Sequence, residues 1–294
     1  MEETLAEGTP VTSNEGPLFI SIVVPTRNRV LLLRDCLDSL LLQDYPADRY
    51  EVIVVDDGSK DEAGVVASEL SRRSTKPVVK LVSQPPRGLN AARNSGVQVA
   101  VGGAICFIDD DELAPPGYLA TLARVVREAV DFDGYGGPYV GRTSGRLSCS
   151  KCSLGSAEMN VDGQGEVSWL FGGNMAIRAA ALAKVGHFDE EILGIGDEAE
   201  WFHRAKAMGF RFLYSRDLWV WHRRDQQSVL DLCRIAFSQG LAVPVFRRKV
   251  GAPERPSLAP IFRYLGHTLL RRCAGGLVLA SRHLGWLVGY MRQT

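Results

Sequence analysis

Four short runs of consecutive apolar and β-branched residues constrain the fold of this chain more than any other feature. The runs are FISIVVP (19–25), EVIVVDD (51–57), PVVKLV (77–82) and AICFIDD (104–110). Continuous runs of this kind are typical of strands that are buried on both faces. Helical stretches at 31–42, 61–73 and 90–101 lie between them. This alternation predicts an α/β fold, with a Rossmann-like and mainly parallel central sheet flanked by helices.

Polar clusters follow three of these predicted strands, at the point where each strand ends. The clusters are PTRN (25–28), DDGS (56–59) and DDD (109–111). Ligands of open parallel sheets bind beyond the carboxyl ends of the strands, so we expect the clusters to meet at one edge. Neither GxGxxG nor GxxxxGK[ST] follows the first strand, and dinucleotide-binding and P-loop functions therefore lose their main sequence support.

The three adjacent aspartates at 109–111 indicate a cation site. One acid at a strand end is ordinary turn chemistry, whereas three neighbouring carboxylates repel one another. Carboxylates on such a turn suit Mg²⁺ or Mn²⁺, which keep some waters and share the phosphate oxygens of a substrate. The alternative is a solvated acidic turn.

Composition indicates an ordinary soluble globular protein. Apolar residues make up 46% of the 294 residues and charged residues 23%, with a formal net charge of zero. There is thus no global electrostatic reason to expect a nucleic-acid partner. The sequence shows no signal peptide and no apolar run near the roughly 20 residues of a spanning helix, which predicts a cytoplasmic location. Residues 1–17 are expected to form a flexible tail, and the CxxC at Cys149 and Cys152 an irregular loop, because no second ligand pair accompanies it.

Seven segments occur in the order in which they are found in the family 2 glycosyltransferases. They are SIVVPTRNR, VIVVDDGSKD, GLNAARNSG, CFIDDDE, GGNMAIRAAAL, GHFDE and GDEAEWFHRA. The chain resembles this family over about residues 18–225. The resemblance implies a GT-A fold over residues 18–240, a UDP-, GDP- or dTDP-linked sugar donor, a divalent metal and inversion at the anomeric carbon.

The resemblance also implies roles on the donor side of a site. Nucleoside contacts fall on Pro25, Thr26 and Arg27, with Asp57 recognising the base or ribose and Asp56 supporting it. Arg93 is expected to meet the diphosphate, or else to be a surface arginine paired with a nearby acid. The DxD motif falls on Asp109 and Asp111. Asp111 is expected to bind the metal directly, and Asp109 or Asp110 to contact ribose or donor-sugar hydroxyls. His222 is expected to reach the metal or diphosphate, with a structural histidine as the alternative.

Acceptor contacts and the catalytic base are expected from the second half of the chain. Trp169 offers a surface for a sugar ring, and Gly172, Gly173 and Asn174 a close approach to sugar, although the glycines could form a simple turn. The ED motif of the family appears reversed as Asp197-Glu198, which leaves the base open between them. Register favours Glu198, and Asp197 would then cap the helix, contributing about 1 kcal/mol or less.

The last segment of the chain, residues 241–294, is expected to form a basic, apolar helical extension. From 255 onwards it has no acidic residue, and Arg263, Arg271, Arg282 and Arg292 share one face of a helical wheel. This pattern predicts either a helix lying on an anionic membrane surface or a basic helix packed on the core.

The leading interpretation is therefore an inverting, metal-dependent glycosyltransferase of surface polysaccharide or glycolipid assembly, with a glycan or lipid-linked acceptor. A processive synthase is disfavoured because QxxRW and spanning helices are missing from the sequence. A nucleotidylyltransferase is disfavoured because VVPTRNR stands in place of a GxGTR opening. The alternative from another functional class is a non-catalytic nucleotide-sugar or glycan-binding protein.

Overall fold

The computed structural model describes residues 17–140, 164–193, 197–223, 229–252, 256, 260 and 275–292. The described strands, in chain order, are β1 (Ile20–Thr26), β2 (Tyr50–Asp56), β3 (Val78–Ser83), β4 (Ala104–Ile108), β5 (Glu112–Leu113), β6 (Gly134–Gly136), β7 (Tyr139–Val140), β8 (Gly165–Val167), β9 (Asn174–Arg178), β10 (Phe212–Tyr214) and β11 (Val220–His222). The described helices are α1 (Val30–Leu41), α2 (Ala63–Arg73), α3 (Leu89–Val99), α4 (Tyr118–Glu128), α5 (Ala179–Val185), α6 (Asp197–Ala207), α7 (Val229–Lys249) and α8 (Gly275–Met291).

The central sheet has eight described strands in the order β3-β2-β1-β4-β9-β6-β10-β8. Its first four strands are parallel, with β1 between β2 and β4. The antiparallel strand β9 joins β4 to β6. All residues of β1, β2 and β4 are buried, whereas the edge strand β3 is partly exposed. The predicted α/β architecture with a mainly parallel sheet is thus confirmed.

The core lies on both faces of this sheet. Alternate side chains of a strand point to opposite faces, so Ile22 and Val24 join the apolar cluster under α1 and α4, while Val23 joins the cluster under α3 and α6. Because both faces are covered, the free positions for polar side chains are the ends of the strands. The carboxyl ends of β1, β2 and β4 carry the three polar clusters of the sequence to one edge.

A second sheet, with three described strands in the order β5-β11-β7, adjoins the loop that follows β4. Strand β11 is antiparallel to β5, and their register places His222 opposite Glu112. It is parallel to β7, with Val220 opposite Tyr139. This small sheet therefore brings a histidine from late in the chain against the acidic loop that follows β4.

Helices α7 and α8 pack against each other through glycines. A Cβ on Gly240 would lie 2.0 Å from the carbonyl oxygen of Arg282, and one on Gly285 would lie 2.1 Å from that of Phe237. Only a residue without a side chain allows the two backbones to approach so closely. The predicted boundary at residue 240 falls inside α7, which is continuous through it. Arg255, Arg263, Arg271, Cys149, Cys152 and residues 1–16 lie outside the described residues. None of the described helices is long and apolar enough to cross a membrane.

Candidate active site

The acidic loop after β4, residues 109–111, is held by Thr26, the last residue of β1, and by Arg29, which follows this strand. Thr26 Oγ1 donates to Asp110 Oδ2 over 2.8 Å. The Nη1 group of Arg29 donates to Asp110 Oδ1 over 2.9 Å and to Asp111 Oδ2 over 3.1 Å. The ends of β1 and β4 therefore meet, as the sequence predicts for adjacent parallel strands. Arg29 was not among the predicted site residues, although it stands in the PTRNR segment.

Three side chains beside this loop form a candidate metal centre. One ligating atom from each of Asp111, Glu112 and His222 lies within 4.8 Å of the others. The Nε2 atom of His222 is 3.8 Å from Asp111 Oδ2. Carboxylate oxygens with one imidazole are a donor set that suits Mn²⁺, and the carboxylates alone also suit Mg²⁺. Glu112 was not predicted, although it directly follows the aspartate triplet.

The carboxyl group of Asp109 is buried beside this candidate metal centre. Its Oδ1 atom is buried and has no hydrogen-bond partner. Burial raises the pKa of Asp109 to about 7, against the lowering effect of Arg93, and the charges of Asp111 and Asp110 raise it further. An orphaned carboxylate oxygen among other acids is an atom that a cation or a sugar hydroxyl would satisfy. The described residues therefore fit a bound divalent cation.

The two glycines of the GGN segment press the backbone against charged side chains. A Cβ on Gly173 would lie 2.6 Å from Asp109 Oδ2 and 2.8 Å from Glu112 Oε1. A Cβ on Gly172 would lie 2.2 Å from Arg93 Nη2. These two positions therefore require glycine because charged side chains pack against the backbone. This reason differs from both sequence-based expectations, the sugar contact and the simple turn.

Arg93 lies beneath the site in a buried ion pair. Its Nη1 group is 3.0 Å from Asp197 Oδ2, and the two side chains are 2% and 9% exposed. The same nitrogen donates to Asn90 Oδ1 over 3.2 Å. Enclosed in this way, Arg93 does not have the exposure that its predicted contact with a diphosphate requires. It does pair with an acid, as the alternative proposed, but inside the protein and not at its surface.

The ion pair separates the roles of the two acids that open α6. Asp197 is buried and committed to Arg93. The next residue, Glu198, keeps partial solvent exposure, and its side chain is hydrogen-bonded to that of Asp197. Burial raises the pKa of Glu198 well above its usual value, and the neighbouring charge of Asp197 adds to the effect. Glu198 is therefore the acid of the two that keeps some access to solvent, whereas Asp197 is held by its ion pair with Arg93.

Asp57, which is predicted to recognise the base or ribose, holds the loop that follows β3. Its carboxylate accepts hydrogen bonds from Gln84 Nε2 at 2.7 Å and from the backbone N–H groups of Arg87 at 2.8 Å and Gly88 at 2.9 Å. It thereby fixes the loop that leads from β3 to α3. Asp56 accepts a bond from the Ser59 N–H at 2.9 Å and turns the chain after β2. At the neighbouring end of β1, Pro25 and Thr26 are buried and Arg27 is exposed.

Asn174 does not face an acceptor. Its side chain is fully buried, and its Oδ1 accepts a bond from the Tyr118 hydroxyl over 2.7 Å. Its Nδ2 donates to the carbonyl oxygens of Leu218 at 2.7 Å and Gly137 at 3.1 Å. Every part of the amide is used to join β9 to its neighbours, so the predicted contact with an acceptor does not fit this geometry.

A row of aromatic rings runs outwards from the candidate metal centre. The ring of Tyr139 lies 5.4 Å from that of His222, and Phe171 lies 5.2 Å from Tyr139. Trp169 meets Phe171 edge to face at 4.8 Å and is 41% exposed. The exposure of Trp169 agrees with its predicted role as a surface for a sugar ring. Tyr139, whose hydroxyl accepts a bond from the Gly173 N–H, carried no signal in the sequence.

Comparison with solved structures identifies the fold. The chain matches TarS of S. aureus with a TM-score of 0.60 and 19% identity, over 90% of this chain and 49% of that one. It also matches the mannosyltransferase PcManGT of Pyrobaculum calidifontis, solved in complex with GDP-Man and Mn²⁺, with a TM-score of 0.64 and 19% identity over 96% of this chain and 90% of that one. These likenesses confirm the predicted GT-A fold.

Sequence comparison agrees with this result. Glycosyltransferase AglE of Haloferax volcanii is 25% identical over 203 residues, which cover 68% of this chain and 65% of that protein. The putative glycosyltransferase EpsH of Bacillus subtilis is 33% identical over 112 residues, covering 38% of this chain and 31% of that protein. The chain thus spans less than two thirds of the length of these curated relatives. The model of the glycosyl transferase family 2 matches residues 21–186, more than half of the chain, and the chain therefore belongs to this family.

Proposed function

We propose that the protein transfers a sugar from a nucleotide-diphosphate sugar to an acceptor hydroxyl, with inversion and with the help of a divalent metal. The observation that carries this proposal is the grouping of Asp111, Glu112 and His222 beside the orphaned oxygen of Asp109. Glu198 lies near this group, because its charge and that of Asp109 both act on Arg93 and on Tyr139. Family membership and the donor complexes of structural neighbours, with GDP-Man in PcManGT and UDP-GlcNAc in TarS, support it.

The acidic loop would hold the cation and the donor. Asp111, Glu112 and His222 would bind the metal, which offsets the negative charge that grows on a departing nucleoside diphosphate. Asp109 would accept a hydrogen bond from a hydroxyl of the donor, because its Oδ1 is unpartnered. Asp110 is tied to Thr26 and Arg29, so it would act by keeping the loop in place.

The nucleoside would lie over the ends of β1 and β2. Pro25, Thr26 and Arg27 line this edge, and Asp57 shapes the facing loop. A carboxylate can accept about four hydrogen bonds, and Asp57 already receives three. One further acceptor position on Asp57 would suit an N–H of the base or a ribose hydroxyl, with Asp56 supporting the turn beneath.

Glu198 would act as the general base. An attacking hydroxyl must lose its proton as the new bond forms, and a carboxylate with a raised pKa accepts that proton more readily than an ordinary one. Burial and the charge of Asp197 provide this increase. A base on the far side of the sugar from the leaving diphosphate is the arrangement that a direct, inverting displacement requires.

The experiment is donor turnover with purified full-length protein. UDP-, GDP- and dTDP-sugars would be screened by thermal shift with and without Mn²⁺, and donor hydrolysis measured with those that bind. We expect one nucleotide class to raise the melting temperature in the presence of Mn²⁺, and EDTA or Asp111→Ala to remove both the shift and hydrolysis. Binding without any hydrolysis or transfer would instead favour a non-catalytic nucleotide-sugar-binding protein. Full activity in EDTA would contradict the metal-dependent mechanism.

We also propose a role in the assembly of surface polysaccharide or glycolipid, with a glycan or lipid-linked acceptor, at the cytoplasmic face of a membrane. The basic extension supports this assignment, with Arg292 exposed at the end of α8. Deleting residues 255–294 would uncover the face of α7 that packs against α8. A cleaner test replaces Arg263, Arg271, Arg282 and Arg292 by glutamine. Binding to anionic liposomes should fall and lose its salt dependence, and equal binding by both proteins would exclude the electrostatic attachment.

A further inference from the structure

A cleft lies along one face of α6. It has a volume of about 540 Å³ and is lined by Ser168, Trp169, Ala199, His203, Lys206, Ala207, Phe246 and Val250. Three elements form it: the segment after β8, one face of α6 and the C-terminal end of α7. None of these lining residues except Trp169 belongs to the site described above.

The cleft adjoins the candidate active site at two of its lining residues, Ala199 and Trp169. Residues 199, 203, 206 and 207 follow helical spacing and lie on one face of α6. Ala199 comes directly after Glu198, so the face that lines the cleft is about 100° around the helix from the proposed base. On the other side, Trp169 ends the row of rings that begins at His222. The cleft therefore begins next to the proposed base and next to the exposed ring that ends this row.

The lining combines an apolar wall with cationic and hydrogen-bonding groups. Trp169, Phe246 and Val250 provide apolar surface, and Trp169 is exposed. Lys206 and His203 are exposed on the α6 side, where Lys206 Nζ donates to Ser168 Oγ over 2.8 Å. No carboxylate is among the described lining residues. A sugar ring has apolar C–H faces and a polar rim, and Lys206 would attract a carboxylate or phosphate group on it.

The end of α7 that contributes to this wall is linked to the turn after α5 by two ion pairs. The Nζ group of Lys249 lies 2.5 Å from Asp189 Oδ2 and 2.6 Å from Glu191 Oε2. The carbonyl of Asp189 in turn accepts a bond from Asn90 Nδ2 over 2.8 Å, which connects this turn to α3. The C-terminal end of α7 thus contacts the turn between α5 and α6, next to the cleft.

We propose that this cleft binds the glycan of the acceptor, beyond the sugar that is attacked, and favours an acidic glycan. One sugar ring stacks on Trp169, and an anionic substituent pairs with Lys206. The inference rests on the proposed transferase function, because it assigns the cleft to the acceptor. It also gives the end of α7 a direct part in choosing the substrate.

The test uses an array of defined neutral and acidic oligosaccharides, including uronate- and phosphate-bearing tetrasaccharides, probed with labelled full-length protein. We expect binding to acidic members, and a loss of at least tenfold in Trp169→Ala and in Lys206→Glu. Lys184→Glu is the matched control, because Lys184 is an exposed lysine in the last turn of α5, and it should bind as the wild type does. Thermal melting would show that each variant is folded.

Two results would overturn the proposal. One is glycan binding that Trp169→Ala and Lys206→Glu leave unchanged, and the other is the lack of binding to every oligosaccharide on the array. A thermal shift with nucleotide sugar and Mn²⁺ on the same samples distinguishes failure of the cleft assignment from failure of the donor site. If the shift persists together with donor hydrolysis, the proposed transferase function stands and the cleft assignment alone fails. If the shift is also missing, the donor site fails as well.

Discussion

The buried ion pair between Asp197 and Arg93 allows a quantitative test of how the site is held together. The two charged groups are 3.0 Å apart, and their side chains are 9% and 2% exposed. Removing one partner of a buried pair leaves an uncompensated charge and costs about 3–5 kcal/mol. Asparagine keeps an oxygen that can accept a bond from Arg93 but loses the charge. We therefore expect Asp197→Asn to lower the free energy of unfolding by about 3 kcal/mol and Asp197→Ala by about 5 kcal/mol.

The assay is urea denaturation near neutral pH, followed by circular dichroism and by tryptophan fluorescence. Glu128→Gln is the control, because Glu128 pairs with Arg124 at the same 3.0 Å distance but the two side chains are 58% and 43% exposed. Water screens such a pair, and its loss should cost no more than about 0.5 kcal/mol. Equal distances with different burial thus isolate the effect of the environment on the ion pair.

A small effect of Asp197→Asn would refute this reasoning. A loss of about 1 kcal/mol or less is what a helix cap alone would give, as the sequence had led us to expect. A double-mutant cycle with Arg93→Gln gives a second criterion. If the pair acts as a unit, the double variant should lose at least about 1 kcal/mol less than the sum of the single variants. Additive losses would show that the two residues contribute independently.

Three further predictions concern the chemistry of the acids. Glu198→Gln should remove transfer and keep donor binding, because glutamine cannot accept the proton. Wild-type turnover should fall as the pH drops through the raised pKa of Glu198, because a protonated carboxyl group cannot act as a base. A flat pH–rate profile would contradict this role. Arg29→Gln should tighten Mn²⁺ binding several-fold in an electron paramagnetic resonance titration, because the guanidinium competes for Asp111, and unchanged affinity would argue against competition. Asp109→Asn should raise the melting temperature above pH 7 but not near pH 4. The pKa of Asp109 is raised from 3.8 to about 7 in the folded protein. The unfolded chain therefore loses this proton first, and the folded state loses stability as the pH rises from about 4 to about 7.

Much of the fold was predictable because it rests on local pattern. Runs such as ISIVV and VIVV are buried on both faces of the sheet, as their continuous apolar pattern predicts. Their positions along the chain locate the strands, and the segments between them form the helices. The meeting of the three polar strand ends follows from the geometry of parallel sheets. The aspartate triplet indicated a cation because no packing argument explains three adjacent acids.

The pairings inside the site were not predictable, since they connect distant parts of the chain. Arg93 and Asp197 are 104 residues apart, and no local periodicity shows that a charged residue on α3 is buried beneath α6. Glu112 joins the candidate metal centre only because β11 pairs with β5. Asn174 shows the converse error: a polar residue in a glycine-rich segment indicated a ligand contact, but its amide satisfies backbone carbonyls within the core.

The distribution of the arginines explains which acids are available for chemistry. Arg93 pairs with Asp197 beneath the site, and Arg29 bridges Asp110 and Asp111 at its rim. Both contacts fix the loop and the start of α6 without reaching the orphaned oxygen of Asp109. Burial then raises the pKa of Asp109 to about 7 and that of Glu198 well above its usual value. Ionising these two groups destabilises the folded protein, and a cation near the first or a proton on the second relieves that cost. Burial thus disfavours the ionised forms of the two acids to which we assign chemical roles. Asp109 is assigned to the donor, and Glu198 to the proton of the acceptor.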